Sequence, residues 1–114
     1  MPRVLIVEDE PLISMTVEDM LSELGYEIAG VASRIDEALA LIEREQIDGA
    51  LLDVNLGAQK IDPVADVLAE KGCPFVFTTG DGPSGLPADH AERPYVAKPF
   101  RLADLENALA AAIR

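Results

Sequence analysis

The sequence of 114 residues is poor in cysteine, tryptophan and basic side chains. Its single cysteine, Cys73, excludes an internal disulfide, and no other Cys or His lies at a spacing typical of a zinc site. Nine Lys and Arg against 21 Asp and Glu give a net charge of −12, which opposes binding to a nucleic-acid backbone. We therefore expect a protein partner and no nucleic acid.

Long apolar runs are also absent. No stretch approaches the roughly 20 apolar residues that a membrane span requires. Met1-Pro2-Arg3 leads directly into an apolar run typical of a strand, so we expect no signal peptide. Hydrophobic residues nevertheless make up 49% of the chain, which is enough for a packed core. The length fits one domain over residues 1–114, so we expect a stand-alone cytoplasmic monomer without membrane association.

Short apolar runs alternate with longer amphipathic stretches along the chain. Five runs are typical of buried strands and lie at residues 4–7, 27–32, 49–52, 74–78 and 95–97. Stretches with helical spacing follow the first, second, third and fifth runs. The alternation predicts an α/β domain with one parallel sheet, right-handed crossovers and helices on both faces.

Local signals mark several helix ends. Pro11 suits a first helical turn, and Gly25 suits the end of the same helix. Ser33, with Asp36 three residues later, resembles a capping box at the start of the second helix.

The fourth strand is followed by residues 80–94, which are rich in glycine and proline and carry no sustained helical stripe. This composition predicts that the fourth helix is short or absent. We expect a mobile loop here, with His90 exposed to solvent.

Chemically reactive side chains lie directly after four of the apolar runs. Glu8 and Asp9 follow the first run, Asp53 the third, Thr79 the fourth and Lys98 the fifth. Because the carboxyl ends of parallel strands meet at one edge of a sheet, we expect these groups to converge there.

Such a cluster suits phosphoryl transfer. Asp53 can attack phosphorus as a nucleophile and form an acyl phosphate. Its carboxylate neighbours repel one another, and a divalent cation removes that repulsion, with hard oxygen ligands favouring Mg²⁺. Lys98 and Thr79 can pair with phosphoryl oxygens, so the set is sufficient for a reaction that depends on positioning and electrostatics.

Four motifs occur in order along the chain: Glu8-Asp9, Leu51-Leu52-Asp53-Val54-Asn55, the strand-end Thr79, and Tyr95-Val96-Ala97-Lys98-Pro99-Phe100. Together they resemble the receiver domain of two-component response regulators over essentially the whole chain. The resemblance implies a doubly wound, flavodoxin-like sheet of five parallel strands in the order 2-1-3-4-5. It also implies that Lys98-Pro99 is a cis peptide.

The resemblance assigns a role to each site residue. Asp53 is the phosphorylated residue, Thr79 and Lys98 act with it in catalysis, and Mg²⁺ is held by Glu8, Asp9, Asp53 and the backbone carbonyl of Asn55. Two further residues have an alternative structural interpretation. Tyr95 is either the switch aromatic that turns inward with Thr79 or a packed edge aromatic, and Asp81 either tunes hydrolysis or only forms a turn.

The stretch Phe77-Thr78-Thr79-Gly80 is similar to the "FAT GUY" group of single-domain receivers, which also have a poorly formed fourth helix. Thr78 and Asp81 depart from the motif of that group. The group implies a histidine kinase of the HWE or HisKA2 class as partner, and a role in general stress signalling. Gly57 and Ile61 replace the Pro and Gly that common receivers carry after the acceptor, so we expect a differently shaped loop there.

The resulting hypothesis is a single-domain response regulator. Asp53 accepts a phosphoryl group from a histidine kinase or phosphotransfer protein in a Mg²⁺-dependent reaction, and the chain then switches a protein-binding face. It is expected to be a self-phosphorylating and self-dephosphorylating switch and not a turnover enzyme. The alternatives are a phosphatase of the haloacid-dehalogenase type and a phosphorylation-independent interaction module. The phosphatase class places its nucleophile on the first strand within Asp-x-Asp, whereas this chain has Glu8-Asp9-Glu10-Pro11 there.

Overall fold

A computed structural model describes residues 1–113 of the chain, and its main feature is one sheet of five parallel strands. The strands of this sheet are β1 (Arg3–Val7), β2 (Glu27–Ala32), β3 (Gly49–Asp53), β6 (Phe75–Thr79) and β7 (Tyr95–Ala97). The helices are α1 (Pro11–Glu23), α2 (Ile35–Arg44), α3 (Asp62–Glu70) and α4 (Leu102–Ala112). A separate pair of short strands, β4 (Asn55–Leu56) and β5 (Gln59–Lys60), follows β3.

The strand order is β2-β1-β3-β6-β7, which confirms the flavodoxin-like order predicted from the sequence. The central strands β1, β3 and β6 are almost fully buried, as their continuous apolar runs require. One face of the sheet packs with residues of α2 and α3, and the other packs with residues of α1 and α4. Helices cover both faces of the sheet and enclose a core on each side. The carboxyl ends of the strands are not covered in this way, so a site can form there.

Helix ends agree with the sequence in most places. Pro11 begins α1, and Gly25 follows its end with φ +88°, a conformation that glycine adopts without strain. The predicted capping box of Ser33 and Asp36 at the start of α2 is wrong. The hydroxyl and the backbone N–H of Ser33 both donate to the carboxylate of Glu37 instead. The helix begins one residue later than a cap at Ser33 requires, with Arg34 at the N-cap position.

The loop after Asp53 contains a hairpin that the sequence did not predict. β4 and β5 pair in antiparallel fashion, and Gly57 turns between them with φ +57°. The Gln59 side-chain oxygen accepts a hydrogen bond of 3.1 Å from the backbone N–H of Ile35, the first residue of α2. The hairpin is thereby tied to the start of a helix that would otherwise leave this donor to solvent.

Residues 80–94 form two single turns of 3₁₀-helix, Gly82–Gly85 and Ala88–His90, in place of a fourth α-helix. The prediction of a short or absent helix is therefore confirmed. The expectation that His90 is exposed is wrong: its side chain is buried, because it packs against the aromatic rings of β6 and contacts α3. In the part of the chain that the structure describes, no helix has the length and apolar character needed to cross a membrane.

Candidate functional site

The carboxyl ends of four neighbouring strands bring the predicted site residues together. Asp53 is the last residue of β3 and Thr79 the last of β6, while Glu8 directly follows β1 and Lys98 directly follows β7. The register of the sheet pairs Asp53 with Thr78 and Thr79 with Ala97, so the strands end at nearly the same level. The predicted convergence at one edge of the sheet is confirmed.

Three carboxylates form the acidic part of the site. One oxygen each from Glu8, Asp9 and Asp53 lies within 4.8 Å of the others. Glu8 and Asp53 are buried, with only 5% and 3% of their surface exposed. Carboxylate oxygens converging at this distance are the hard donor set that Mg²⁺ prefers, and the cation would offset their mutual repulsion. These side chains therefore fit the predicted metal site.

Lys98 neutralises part of this negative charge. Its ammonium group donates a hydrogen bond of 3.1 Å to Glu8 Oε1 and lies 3.3 Å from Asp53 Oδ2. The peptide bond between Lys98 and Pro99 is cis, as the resemblance implies. The ammonium group thus lies beside the carboxylate that would receive a phosphoryl group.

The pKa values of this cluster reflect its crowding. Burial, followed by the neighbouring Asp53 carboxylate, raises the pKa of Glu8 to about 7, even though Lys98 acts in the opposite direction. Burial alone would lower the pKa of Lys98, but its contacts with Glu8 and Asp53 outweigh that effect and raise it. Lys98 therefore stays charged at neutral pH, while Glu8 exchanges a proton there in the absence of a cation.

Backbone donors orient the two buried carboxylates. The N–H of Glu10 donates to Glu8 Oε2 at 3.2 Å, and the N–H of Asn55 donates to Asp53 Oδ1 at 3.0 Å. The Asp53 side chain is therefore held from one side by Asn55 and from the other by Lys98. The role of the Asn55 carbonyl as a metal ligand stays a prediction.

Thr79 connects the site to the segment that follows it. Its side chain is fully buried, its oxygen accepts a hydrogen bond of 3.0 Å from Asp81 N–H, and its hydroxyl donates to the Gly82 carbonyl at 3.4 Å. Tyr95, the predicted switch aromatic, is 39% exposed on β7. The hydroxyl of Thr79 is thus engaged by residues 80–94, and Tyr95 lies outward at the strand beside it.

The site has the components for acyl phosphate formation. Asp53 supplies a carboxylate nucleophile, the other two carboxylates supply ligands for a cation, and Lys98 supplies a fixed positive charge. Thr79 lies on the neighbouring strand with a hydroxyl that can donate to a phosphoryl oxygen after it leaves Gly82. All of these residues were predicted from the sequence. Two features outside the cluster were not predicted: the hydrogen bond from the N–H of Ile35 to Gln59, and the burial of His90.

The chain belongs to the receiver domain family. A family model described as the response regulator receiver domain matches residues 4–110. This match runs from within β1 to within α4, so it includes all four strand ends that form the site.

Relatives of known sequence and structure agree with that assignment. The chain is 36% identical over 97% of its length to the transcriptional regulatory protein PdtaR of Mycobacterium tuberculosis, and it spans 56% of PdtaR. SdrG from Sphingomonas melonis Fr1 has a TM-score of 0.87 and 44% identity, covering 97% of this chain and 95% of SdrG. The response regulator PhyR from Brucella abortus has a TM-score of 0.83 and 35% identity, covering 97% of this chain and 47% of PhyR.

Proposed function

We propose that this protein is a Mg²⁺-dependent phosphoryl switch in which Asp53 accepts a phosphoryl group from a histidine kinase or phosphotransfer protein. The observation that carries the proposal is the contact of Lys98 with a buried Asp53, 3.3 Å apart, inside a cluster of three carboxylates. A bound cation would supply charge neutralisation for the incoming phosphoryl group. The chain's own residues hold the nucleophile and position the ammonium group.

Switching follows from the position of Thr79. When Asp53 carries a phosphoryl group, the Thr79 hydroxyl can donate to it only by leaving the Gly82 carbonyl. That exchange releases the start of residues 80–94 and frees space beside β7, into which the exposed Tyr95 can turn. The surface formed by residues 80–94, β7 and α4 would then bind a protein partner differently in the two states.

A turnover enzyme is not needed to explain the site. The nucleophile lies on the third strand, and the receiver family match leaves a phosphatase of the haloacid-dehalogenase type without specific support. We propose a switch that forms and hydrolyses its own acyl phosphate, with Asp81 near Thr79 as a residue that tunes hydrolysis. The phosphorylation-independent module is disfavoured because the acceptor and Lys positions are both filled.

Two relatives support the proposal of a phosphoryl-responsive protein in stress signalling. SdrG has also been solved in a BeF3-activated conformation, to which this chain has a TM-score of 0.82, against 0.87 for the other SdrG structure. The PhyR stress response regulator is a further relative, with a TM-score of 0.82 and 30% identity. We propose by analogy that this chain responds to a phosphoryl group in the same manner and serves stress signalling, with a kinase of the HWE or HisKA2 class as donor.

The test uses beryllofluoride, which imitates a phosphoryl group on an aspartate. We expect Mg²⁺ with beryllofluoride to shift the amide resonances of residues 80–94 and of β7 in the wild-type protein. Asp53→Ala should abolish the shifts, whereas Glu70→Gln, at an exposed position of α3, should keep them. Equal spectral changes in the wild type and in Asp53→Ala, or no change in either, contradict the proposal.

A groove beside the site is where we propose that the phosphodonor docks. It has a volume of about 410 Å³ and is lined by Leu12, Ile13, Thr16, Val17, Met20, Lys98, Pro99 and Phe100. Leu12 is 80% exposed, although it is a large apolar residue on a helix next to the acceptor site. Because Lys98 lines the groove and contacts Asp53, an apolar helical surface seated there would bring its phosphohistidine towards the acceptor.

A protein phosphodonor must dock on the groove, whereas the small molecule acetyl phosphate need not. Comparing the two donors therefore separates the effect of a mutation on docking from its effect on the chemical step. We expect Leu12→Ser to slow transfer from a histidine kinase or phosphotransfer protein by about tenfold, the effect of losing one central apolar contact, and to leave phosphorylation by acetyl phosphate unchanged. Val31→Ser is the matched control, because Val31 is also an exposed apolar residue but lies on β2. Equal losses with both donors, or a loss of the same size in Val31→Ser, would remove the groove from the mechanism.

A further inference from the structure

One face of β6 carries two aromatic rings and the switch hydroxyl in a single row. Phe75, Phe77 and Thr79 occupy alternate positions of the strand, so their side chains point to the same side of the sheet. Residues 80–94, which we call the crossover segment, cover this row with two 3₁₀ turns and without an α-helix between β6 and β7. The segment therefore contacts the switch residue and the aromatic pair at once.

The near end of the crossover segment is packed tightly on Thr79. A methyl group added to Gly85 would lie 2.7 Å from the Thr79 hydroxyl oxygen, so the backbone approaches that oxygen closely. The same hydroxyl accepts a hydrogen bond from the Asp81 N–H and donates its single proton to the Gly82 carbonyl. This arrangement fits the resting state, in which Thr79 is directed to the segment.

The far end of the segment is anchored by His90. Its ring lies 5.7 Å from the ring of Phe75 and 6.4 Å from that of Phe77, and only 8% of the residue is exposed. Its Nε2 is 2.8 Å from Oδ1 of Asp66 on α3, and an ionised carboxylate only accepts, so the imidazole donates. The Arg93 guanidinium covers Phe75 at 4.6 Å from the ring centroid and completes the anchor.

We propose that His90, held by Asp66, is a positioning residue that stabilises the resting state of the switch by fixing the crossover segment against Thr79. The inference rests on the proposed phosphoryl switch and names how that switch is regulated. Leu86 packs into the core between the two ends, so the segment moves as a packed unit between Gly82 and His90. Releasing the Thr79 hydroxyl therefore works against the contact between His90 and Asp66.

The expected consequence is tighter binding of a phosphoryl mimic once the anchor is broken. A ligand that favours the switched state binds more tightly when the resting state is destabilised, because its apparent affinity includes the cost of the conformational change. We expect Asp66→Ala to tighten beryllofluoride binding in the presence of Mg²⁺ by about fivefold, a size in line with the loss of one charge-assisted hydrogen bond.

Three further variants make the test specific. His90→Phe keeps an aromatic ring on Phe75 and Phe77 and should produce the same gain, and combining it with Asp66→Ala should add nothing. Asp66→Asn retains an oxygen acceptor but loses the charge, so it should tighten binding by only about twofold, between the wild type and Asp66→Ala. Glu70→Ala changes another exposed carboxylate of α3, one helical turn further on, and should leave the affinity unchanged.

The readouts are the dissociation constant from a beryllofluoride titration and the amide resonances of Thr79, Asp81 and Gly82 in the free protein. Shifts of these distant amides in Asp66→Ala, together with the fivefold gain, support the inference. If Asp66→Ala lowers the unfolding stability but leaves the affinity for beryllofluoride unchanged, His90 has only a structural role. If Asp66→Ala binds beryllofluoride more weakly, His90 favours the switched state. Either result overturns the inference. A wild-type protein that does not respond at all overturns the proposed function itself, and the positioning role with it.

Discussion

The substitution Asp53→Asn tests the electrostatics of the site through protein stability, independently of any kinase. Asn has nearly the same shape as Asp and keeps an oxygen that can accept the hydrogen bond from Asn55 N–H, so the packing is preserved. What changes is one buried negative charge. In the metal-free protein that charge repels Glu8 and Asp9 and attracts Lys98.

The magnitude follows from the distances. Carboxylate oxygens within 4.8 Å repel by about 3.5 kcal/mol per pair at an effective dielectric constant of about 20. The attraction between Lys98 and Asp53 at 3.3 Å is about 5 kcal/mol on the same scale. Two repulsions exceed one attraction, so we expect Asp53→Asn to raise the free energy of unfolding by about 2 kcal/mol when all groups are ionised.

The pH dependence has a definite sign. The pKa of Glu8 is raised to about 7 in the folded protein, so between its ordinary value of 4.5 and about 7 the folded state binds more protons than the unfolded state. Wild-type stability therefore falls as the pH rises through that window. The gain from Asp53→Asn should be full at pH 8 and should turn into a loss of about 1.5 kcal/mol near pH 6, because protonated Glu8 no longer repels Asp53 and the attraction to Lys98 then exceeds the one remaining repulsion, from Asp9.

The assay is urea unfolding with a metal chelator at pH 8 and pH 6, followed by the same measurement with excess Mg²⁺. Mg²⁺ should stabilise the wild-type protein more than the variant, because it binds the acidic cluster of the folded state. The difference in free energy of unfolding between the two proteins at pH 8 should therefore become smaller or change sign. A variant that is less stable than the wild type at pH 8 without metal would refute this account of the site, as would a gain independent of pH.

Three other substitutions probe the switch and the fold. Thr79→Ala should still bind beryllofluoride but leave the amide resonances of the crossover segment at their free positions, because the hydroxyl that would leave Gly82 is gone; NMR titration measures this. Gly85→Ala should lower the free energy of unfolding by about 1 to 3 kcal/mol, since its methyl group would lie 2.7 Å from the Thr79 oxygen; urea unfolding against a wild-type control tests it. Ser33→Ala should raise the pKa of Glu37, which the Ser33 hydroxyl and backbone hold below its ordinary value, and a carboxyl titration by NMR would contradict this if the pKa stayed low.

The site was predictable because its chemistry depends on strand ends. A parallel sheet brings the carboxyl ends of its strands to one edge, so the positions of Asp53, Thr79 and Lys98 after apolar runs were enough to predict that they meet. The same reasoning placed Glu8 and Asp9 beside them, and the structure confirms the cluster. The pKa of Glu8 was not predictable, because it depends on burial and on the positions of two neighbouring charges.

His90 shows where local sequence was misleading. A lone histidine in a stretch rich in glycine and proline predicts exposure, yet the ring is buried on Phe75 and Phe77. Its partner Asp66 lies 24 residues earlier on α3, and no local pattern reports such a pair. The hairpin after Asp53 is a similar case, because Gln59 is fixed by a backbone donor of α2 from an earlier part of the chain.

Local sequence was sufficient to specify the alternation of strands and helices, the order of reactive groups along the chain and the loss of the fourth helix, because hydrophobic period and the backbone properties of glycine and proline are local. What replaces that helix depends instead on tertiary packing. Residues 80–94 bury Leu86 and His90 and engage Thr79 because β6 presents its aromatic rings and its hydroxyl in one row. The proposed acceptor chemistry thus depends on strand ends, whereas its proposed coupling to a switch depends on packing between distant segments.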